Sequence, residues 1–233
     1  NKKLAKNYTV YTIDLLGCGR SDKPSIKYTN YMYVQIITSF VKNVIKEKTN
    51  VAATNLSAAP VIMANNLDSS LFNKIILINP APLKQMEQIP DRTSKFKQSI
   101  INMPVIGTFI YNKLMTPIKI DFIFRKKFFS RSQLITSKIE DTYYQAAHSN
   151  NSKYLYSSIL SNYININMYH AIKNINTPIN IIASADVKNN LDTINTYHSI
   201  NSNFEITHIS NSKLYPQIEI PEKITGMIRN IIK

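Results

Sequence analysis

NVAATNLSAAPVIMA, residues 50–64, places a run of small and β-branched residues directly before Ser57 and a second apolar run, of helical length, directly after it. That order predicts a strand, a sharp turn and a helix in immediate succession. Ser57 stands in the turn. Read locally, it is equally a helix N-cap whose hydroxyl accepts from the N–H groups of the first turn.

The flanking segments give the turn its setting. KIILINP, residues 74–80, is a continuous β-branched run closed by Pro80, and PINIIASAD, residues 178–186, repeats the design. Both are expected as strands buried on two faces of a parallel sheet. FEITHIS, residues 204–210, predicts a further strand, and EKITGMIRNIIK, residues 222–233, a closing amphipathic helix. Upstream, YTVYTID, residues 8–14, alternates as a strand does and runs into the turn LLGCGRSDKP. Tyr33, Ile36, Ile37, Phe40, Val41, Val44 and Ile45 then recur at helical spacing across residues 29–48. Strands alternating with helices predict an α/β fold with a mostly parallel sheet flanked by helices. Residues 84–172 read as helices broken at Pro104 and Pro117, too long for a simple crossover. They are expected as a helical cap inserted between core segments 1–83 and 173–233.

Composition narrows the class. No stretch reaches the roughly 18 to 20 apolar residues of a spanning helix. The formal charge is +14, and residues 84–172 hold 12 Lys and Arg against 5 Asp and Glu. Two explanations fit that excess: a field suited to anionic partners, or a coding bias that enriches Lys, Asn, Ile and Tyr together. The one cysteine, Cys18, excludes an internal disulfide and a cysteine metal cluster and fits a reducing, cytoplasmic setting. Nothing cationic but Arg20 is fixed beside it, so a packing role is expected. No metal-ligand spacing or P-loop occurs, and the GCG pair lacks the third glycine of a dinucleotide site, so no cofactor is expected.

DLLGCGRSDKP (residues 14–24), the Asn55-Leu56-Ser57-Ala58-Ala59 turn, Asp186 at a strand end, and Ser212 to Glu222 together resemble the α/β-hydrolase superfamily, in its capped branch of esterases, haloalkane dehalogenases and C–C hydrolases. Gly17 and Gly19 match the family's tight loop after its fourth strand. Asn55 and Ala59 replace both glycines of G-x-S-x-G. The resemblance implies Ser57 as nucleophile, the Ala58 N–H as one oxyanion donor, and Asp186 as the triad acid, with Asp192 as the alternative. In the family's G-H-x-P-x-x-E-x-P-E loop the register is held by Glu219, Pro221 and Glu222, and the histidine slot contains Lys213.

A lysine ammonium, near 10.4 in water, must be destabilised by roughly 4 kcal/mol to serve as a base at neutral pH, and an adjacent carboxylate acts in the opposite sense. If adjacent, Asp186 and Lys213 are therefore expected to form an ion pair rather than a proton relay. His208 lies within a predicted strand, and His148, His170 and His198 lie in helical regions, where surface or packing roles are the default. The family's second oxyanion donor comes from a loop that would precede Asn1, so the first strands of the fold are expected to be absent and a sheet edge left uncovered. One such donor is worth about a hundredfold to a thousandfold in rate.

The expected function is thus a degenerate or truncated serine hydrolase with a pocket for a small apolar or ester substrate. Tyr111, Phe122, Phe124, Phe128 and Phe129 are candidates to line that pocket, or else plain core. The alternative is a non-catalytic protein that uses the vestigial pocket or the basic cap, notably RKKFFSR at residues 125–131, to hold an acidic ligand or partner. No motif supports sequence-specific nucleic-acid recognition, and nothing in the sequence fixes an oligomeric state.

Overall fold

A computed structural model describes residues 3–233. Four strands, β1 (Thr49–Thr54), β2 (Phe72–Ile78), β3 (Ile179–Ser184) and β4 (Glu205–Ile209), form one parallel sheet in the order β1-β2-β3-β4. Ala53 pairs with Leu77, Leu77 with Ile181 and Ile181 with Ile206, so the strands finish level and their carboxyl ends share one edge. The continuous apolar runs are the central strands. All six residues of β3 are buried, as are Ile75 to Ile78 of β2, while β1 and β4 are only partly covered.

Alternation along β2 and β3 sends side chains into two cores. Ile75, Leu77, Ile179 and Ile181 meet α1 (Asn30–Phe40), α2 (Ala58–Leu67), α9 (Tyr169–Asn174) and α10 (Asn190–Ile200). Ile76, Ile78 and Ile182 face the other way and meet Ile224, Met227, Ile228 and Ile231 of α12 (Pro221–Ile232). Ala52, in register with Ile76 on that second face, stays exposed.

The helix expected over residues 29–48 forms as α1 followed by a π-helical turn, Val41–Ile45, and stops at Lys46, whose φ is +64°. The wider turn shifts the apolar stripe and leaves Val44 53% exposed. Residues 8–14 do not form the expected strand. The alternating pattern is present, but the strands of the sheet pair only with one another, and no strand borders β1 on its outer side among the described residues. The segment is not laid along the open edge of β1 and so joins no ladder of the sheet. It runs over the surface, with Tyr11 edge-on against Phe40.

Between β2 and β3 lie seven helices: α3 (Leu83–Met86), α4 (Arg92–Asn102), α5 (Ile106–Leu114), α6 (Pro117–Ile123), α7 (Ser137–His148), α8 (Ser152–Leu160) and α9. A π-helical turn, Phe124–Phe128, extends α6. No helix among the described residues is long and apolar enough to cross a membrane. The expected pocket aromatics form the core of this segment instead. Phe124 and Phe129 are fully buried with Ile120 against Tyr143 and Phe128, and Tyr111 is buried with its hydroxyl donating to the Ala147 carbonyl. Phe122 points outward.

The glycine loop is built as its residues require. Gly17 and Gly19 have φ of +86° and +48°, and a Cβ on Gly17 would lie 2.6 Å from the ring of the fully buried Tyr28, while one on Gly19 would meet the Asp14 carboxylate. Gly17→Ala is expected to cost about 2 kcal/mol, since strain and a rigid neighbour act together. Urea denaturation that shows no loss of stability would contradict this geometry.

Candidate functional site

Because the strands are parallel, the segments that leave β1, β3 and β4 gather at one edge of the sheet. Asn55–Ser57 follows β1 as a single 3₁₀ turn, Asp186 follows β3, and Lys213 follows β4. Gln217 of the short helix α11 (Pro216–Glu219) crosses from the segment after β4 to the end of β1, where its Nε2 donates to Thr54 Oγ1 at 3.3 Å. Its Oε1 is buried without a partner among the described residues.

The strained residue of the β1–α2 turn is Asn55, with φ +53°. Ser57 lies two residues further on in right-handed helical geometry, φ −70° and ψ −13°, and its hydroxyl makes no capping bond to α2. The N-cap role is therefore not realised. The Ala58 N–H turns back onto the Asn55 and Leu56 carbonyl oxygens, so the donor expected for an oxyanion is engaged within its own turn.

Asp186 is exposed and accepts a hydrogen bond from Ser130 Oγ at 3.3 Å. The expected ion pair with Lys213 does not form. Lys213 Nζ donates instead to the main-chain carbonyls of Arg125 and Lys126, at 2.9 and 3.2 Å. These oxygens close the π-helical turn after α6, and a helix end with spare carbonyls draws a cation. Asp192 lies within α10 and is exposed.

Sequence reasoning missed the most connected carboxylate in the region. Glu219 is 4% exposed; its Oε1 accepts the N–H groups of Ser130 and Arg131 at 2.7 and 3.1 Å, and its Oε2 accepts that of Lys213 at 2.7 Å. The segment 125–131, selected in the sequence for its charge, is thus docked on the site mainly through its backbone. Its carbonyls hold Lys213, its N–H groups hold Glu219, and Ser130 reaches Asp186. The only sequence signal for this was the family-like register of Glu219 itself.

Beneath these groups Asn79, φ +44° and 1% exposed, joins four parts of the fold. Its Nδ2 donates to Ser184 Oγ and to the Lys213 and Leu214 carbonyls, while its Oδ1 accepts from the Ser184 N–H and from Asn190 Nδ2. Ser212 Oγ, also buried, completes the cluster beside Ser184 Oγ at 3.3 Å. Tyr215 packs edge-on against Phe128, and burial pushes its hydroxyl up to about 12, with Tyr143 and Cys18 adding in the same direction. Burial also raises the Cys18 thiol, the Asp14 carboxylate adds to this and Lys23 opposes it, which favours the unreactive thiol.

The four histidines make local contacts or stay outside the site. His148 Nδ1 lies 3.0 Å from the Tyr144 carbonyl and stacks on that ring, and His170 meets Asn174 on its own helix. His198 and His208 are exposed on α10 and β4.

Glu219→Ala leaves three partly buried N–H donors without their acceptor and is expected to cost roughly 3 kcal/mol. Glu219→Gln keeps the Oε1 bonds and loses the Lys213 N–H bond, for roughly half that. Urea denaturation measures both, and equal stability of the two variants would show that the triple contact is not what holds the segment.

No family model matches the chain. A segment of 81 residues is 30% identical to 2-hydroxy-6-oxo-6-(2'-aminophenyl)hexa-2,4-dienoic acid hydrolase of Metapseudomonas resinovorans, and it spans 34% of this chain and 28% of that protein. The fold is similar to a serine hydrolase involved in carbazole degradation, with TM-score 0.70 and 15% identity over 93% of this chain and 76% of the other. It is similar to MenH from S. aureus, with TM-score 0.69 and 14% identity over 98% and 85%. An α/β hydrolase from a Medee basin deep-sea metagenome library gives 0.67 and 15% over 94% and 77%. With the parallel sheet, its flanking helices and the carboxyl-edge convergence, these likenesses establish that the chain has the α/β-hydrolase fold.

Proposed function

We propose that this chain is a degenerate relative of the serine hydrolases, one that retains a place for a small apolar or ester-like molecule at the carboxyl edge of the sheet and does not turn it over. The observation that carries this reading is the engagement of Lys213. The residue in the histidine slot spends its Nζ hydrogen bonds on the Arg125 and Lys126 carbonyls, and hydrogen-bonds neither Ser57 nor Asp186. General-base catalysis needs a group within hydrogen-bond reach of the nucleophile's proton.

The turn after β1 supports the same reading independently. A nucleophile elbow presents its reactive residue at the strained apex, and the apex here carries Asn55. A carboxamide is no nucleophile. Ser57, the hydroxyl proposed for that role, follows in relaxed geometry, and the Ala58 N–H beside it is already engaged. Asp186 keeps the acid's position without an imidazole to orient. The half-buried thiol of Cys18 is compatible with a reducing cytoplasm. The similarity to a 2-hydroxy-6-oxo-6-(2'-aminophenyl)hexa-2,4-dienoic acid hydrolase and to a serine hydrolase involved in carbazole degradation supports a small-molecule ligand over a macromolecular one at this edge.

Incubation with a fluorophosphonate probe and with p-nitrophenyl esters tests the proposal. The expected result is no adduct at Ser57 by peptide mass spectrometry, and ester hydrolysis equal to that of Ser57→Ala. Rapid labelling of Ser57, abolished by Ser57→Ala, would overturn it.

A further inference from the structure

Three consecutive helices, α4 to α6, leave large apolar side chains in solvent. Val105 is 80% exposed and Ile118 82%, and Phe96, Phe109 and Phe122 are each more than half exposed. Folded chains seldom leave so many such groups in one stretch of sequence exposed without a use.

Two of the helices carry the same device. At the start of α5, Val105, Phe109 and Lys113 follow one another at four-residue spacing; in α6 and the turn that extends it, so do Ile118, Phe122 and Lys126. Four-residue spacing keeps each trio along one side of its helix. In both, the lysine ammonium lies near the phenylalanine ring, at 5.7 Å for Lys113 and Phe109 and 5.3 Å for Lys126 and Phe122. On α4, Phe96 stands between Lys95 and Lys97.

The charge around these groups is mostly positive. Residues 92–131 contain nine lysines and arginines and one acid, Asp121, whose two oxygens both accept from Arg125 Nε, at 2.7 and 2.8 Å. Bulky aliphatic and phenyl groups bordered by ammonium groups match the boundary of an anionic bilayer, where hydrocarbon takes the first and lipid head groups the second. A nucleic acid would be met by the cations alone and gains nothing from exposed Val105 and Ile118. We propose that the α4–α6 surface docks this protein on an anionic lipid surface, lying in the interface without spanning it. This does not depend on whether the carboxyl-edge site is catalytic.

The test is co-sedimentation of the full chain with sucrose-loaded vesicles. One set is pure phosphatidylcholine and the other carries about one third phosphatidylserine, each at low salt and at roughly 0.5 M salt. The expected result is binding to the anionic vesicles at low salt, about tenfold weaker on neutral vesicles and about tenfold weaker in high salt. The double variant Phe109→Ser with Phe122→Ser changes two exposed residues, should keep its thermal midpoint, and should lose about tenfold in vesicle affinity. Absence of binding to the anionic vesicles overturns the proposal. So does binding that the phenylalanine variant leaves unchanged, which would mean simple adsorption of a basic protein. Gel-shift of a nucleic acid with affinity equal to that for vesicles, or a dimer in sedimentation velocity that the variant dissolves, would assign the surface to a different partner and overturn it as well.

Discussion

One buried carboxamide holds the carboxyl edge together. Asn79 directly follows β2, and its five hydrogen bonds reach the end of β3, the first residue of α10 and the main chain after β4. In a dry interior an amide left short of partners costs more than any one of its bonds returns, so these segments are bound to a single arrangement. The positions of Lys213 and Tyr215, and through them the contact with residues 125–131, follow from it. Glu219 then fastens that segment from the other side with three main-chain bonds. The two devices are complementary: a neutral hub within the sheet edge and a carboxylate clamp above it.

The sheet was legible in the sequence to the extent that burial wrote it. KIILINP and PINIIASAD are continuous apolar runs because both of their faces are covered, and they became β2 and β3. Residues 8–14 carry an equally clear alternating pattern, yet a pattern specifies which faces a strand could present and not whether the segment is laid along a sheet edge. At the turn after β1 the difficulty was register. With both motif glycines replaced, the serine was the visible landmark, whereas the strained apex fell on Asn55. The partner of Lys213 was beyond reach for another reason: it bonds to main-chain oxygens 88 and 87 residues away, and a carbonyl has no signature in the sequence.

The segment between β2 and β3 serves two surroundings with different residues. Its inner aromatics, Phe124, Phe129 and Tyr111, build its own core, and the backbone of residues 125–131 faces the site. Its outer side chains, lysines among exposed aliphatic and phenyl groups, answer to the outside. The basic stretch 125–131 looked like a single feature in the sequence because charge is what a one-dimensional reading sees. In the fold its main chain and its side chains have separate partners.

The chain contains four glycines. Of its seven non-glycine residues with positive φ among those described, six are asparagines: Asn55, Asn79, Asn151, Asn162, Asn189 and Asn211. Asparagine enters the left-handed region more readily than other side-chain-bearing residues, so a glycine-poor chain still has its sharp corners. Unlike glycine, it brings an amide to each corner. At Asn79 the residue that bends the backbone is the one that cross-links it, and a glycine there would preserve the path of the chain while dissolving the junction it organises.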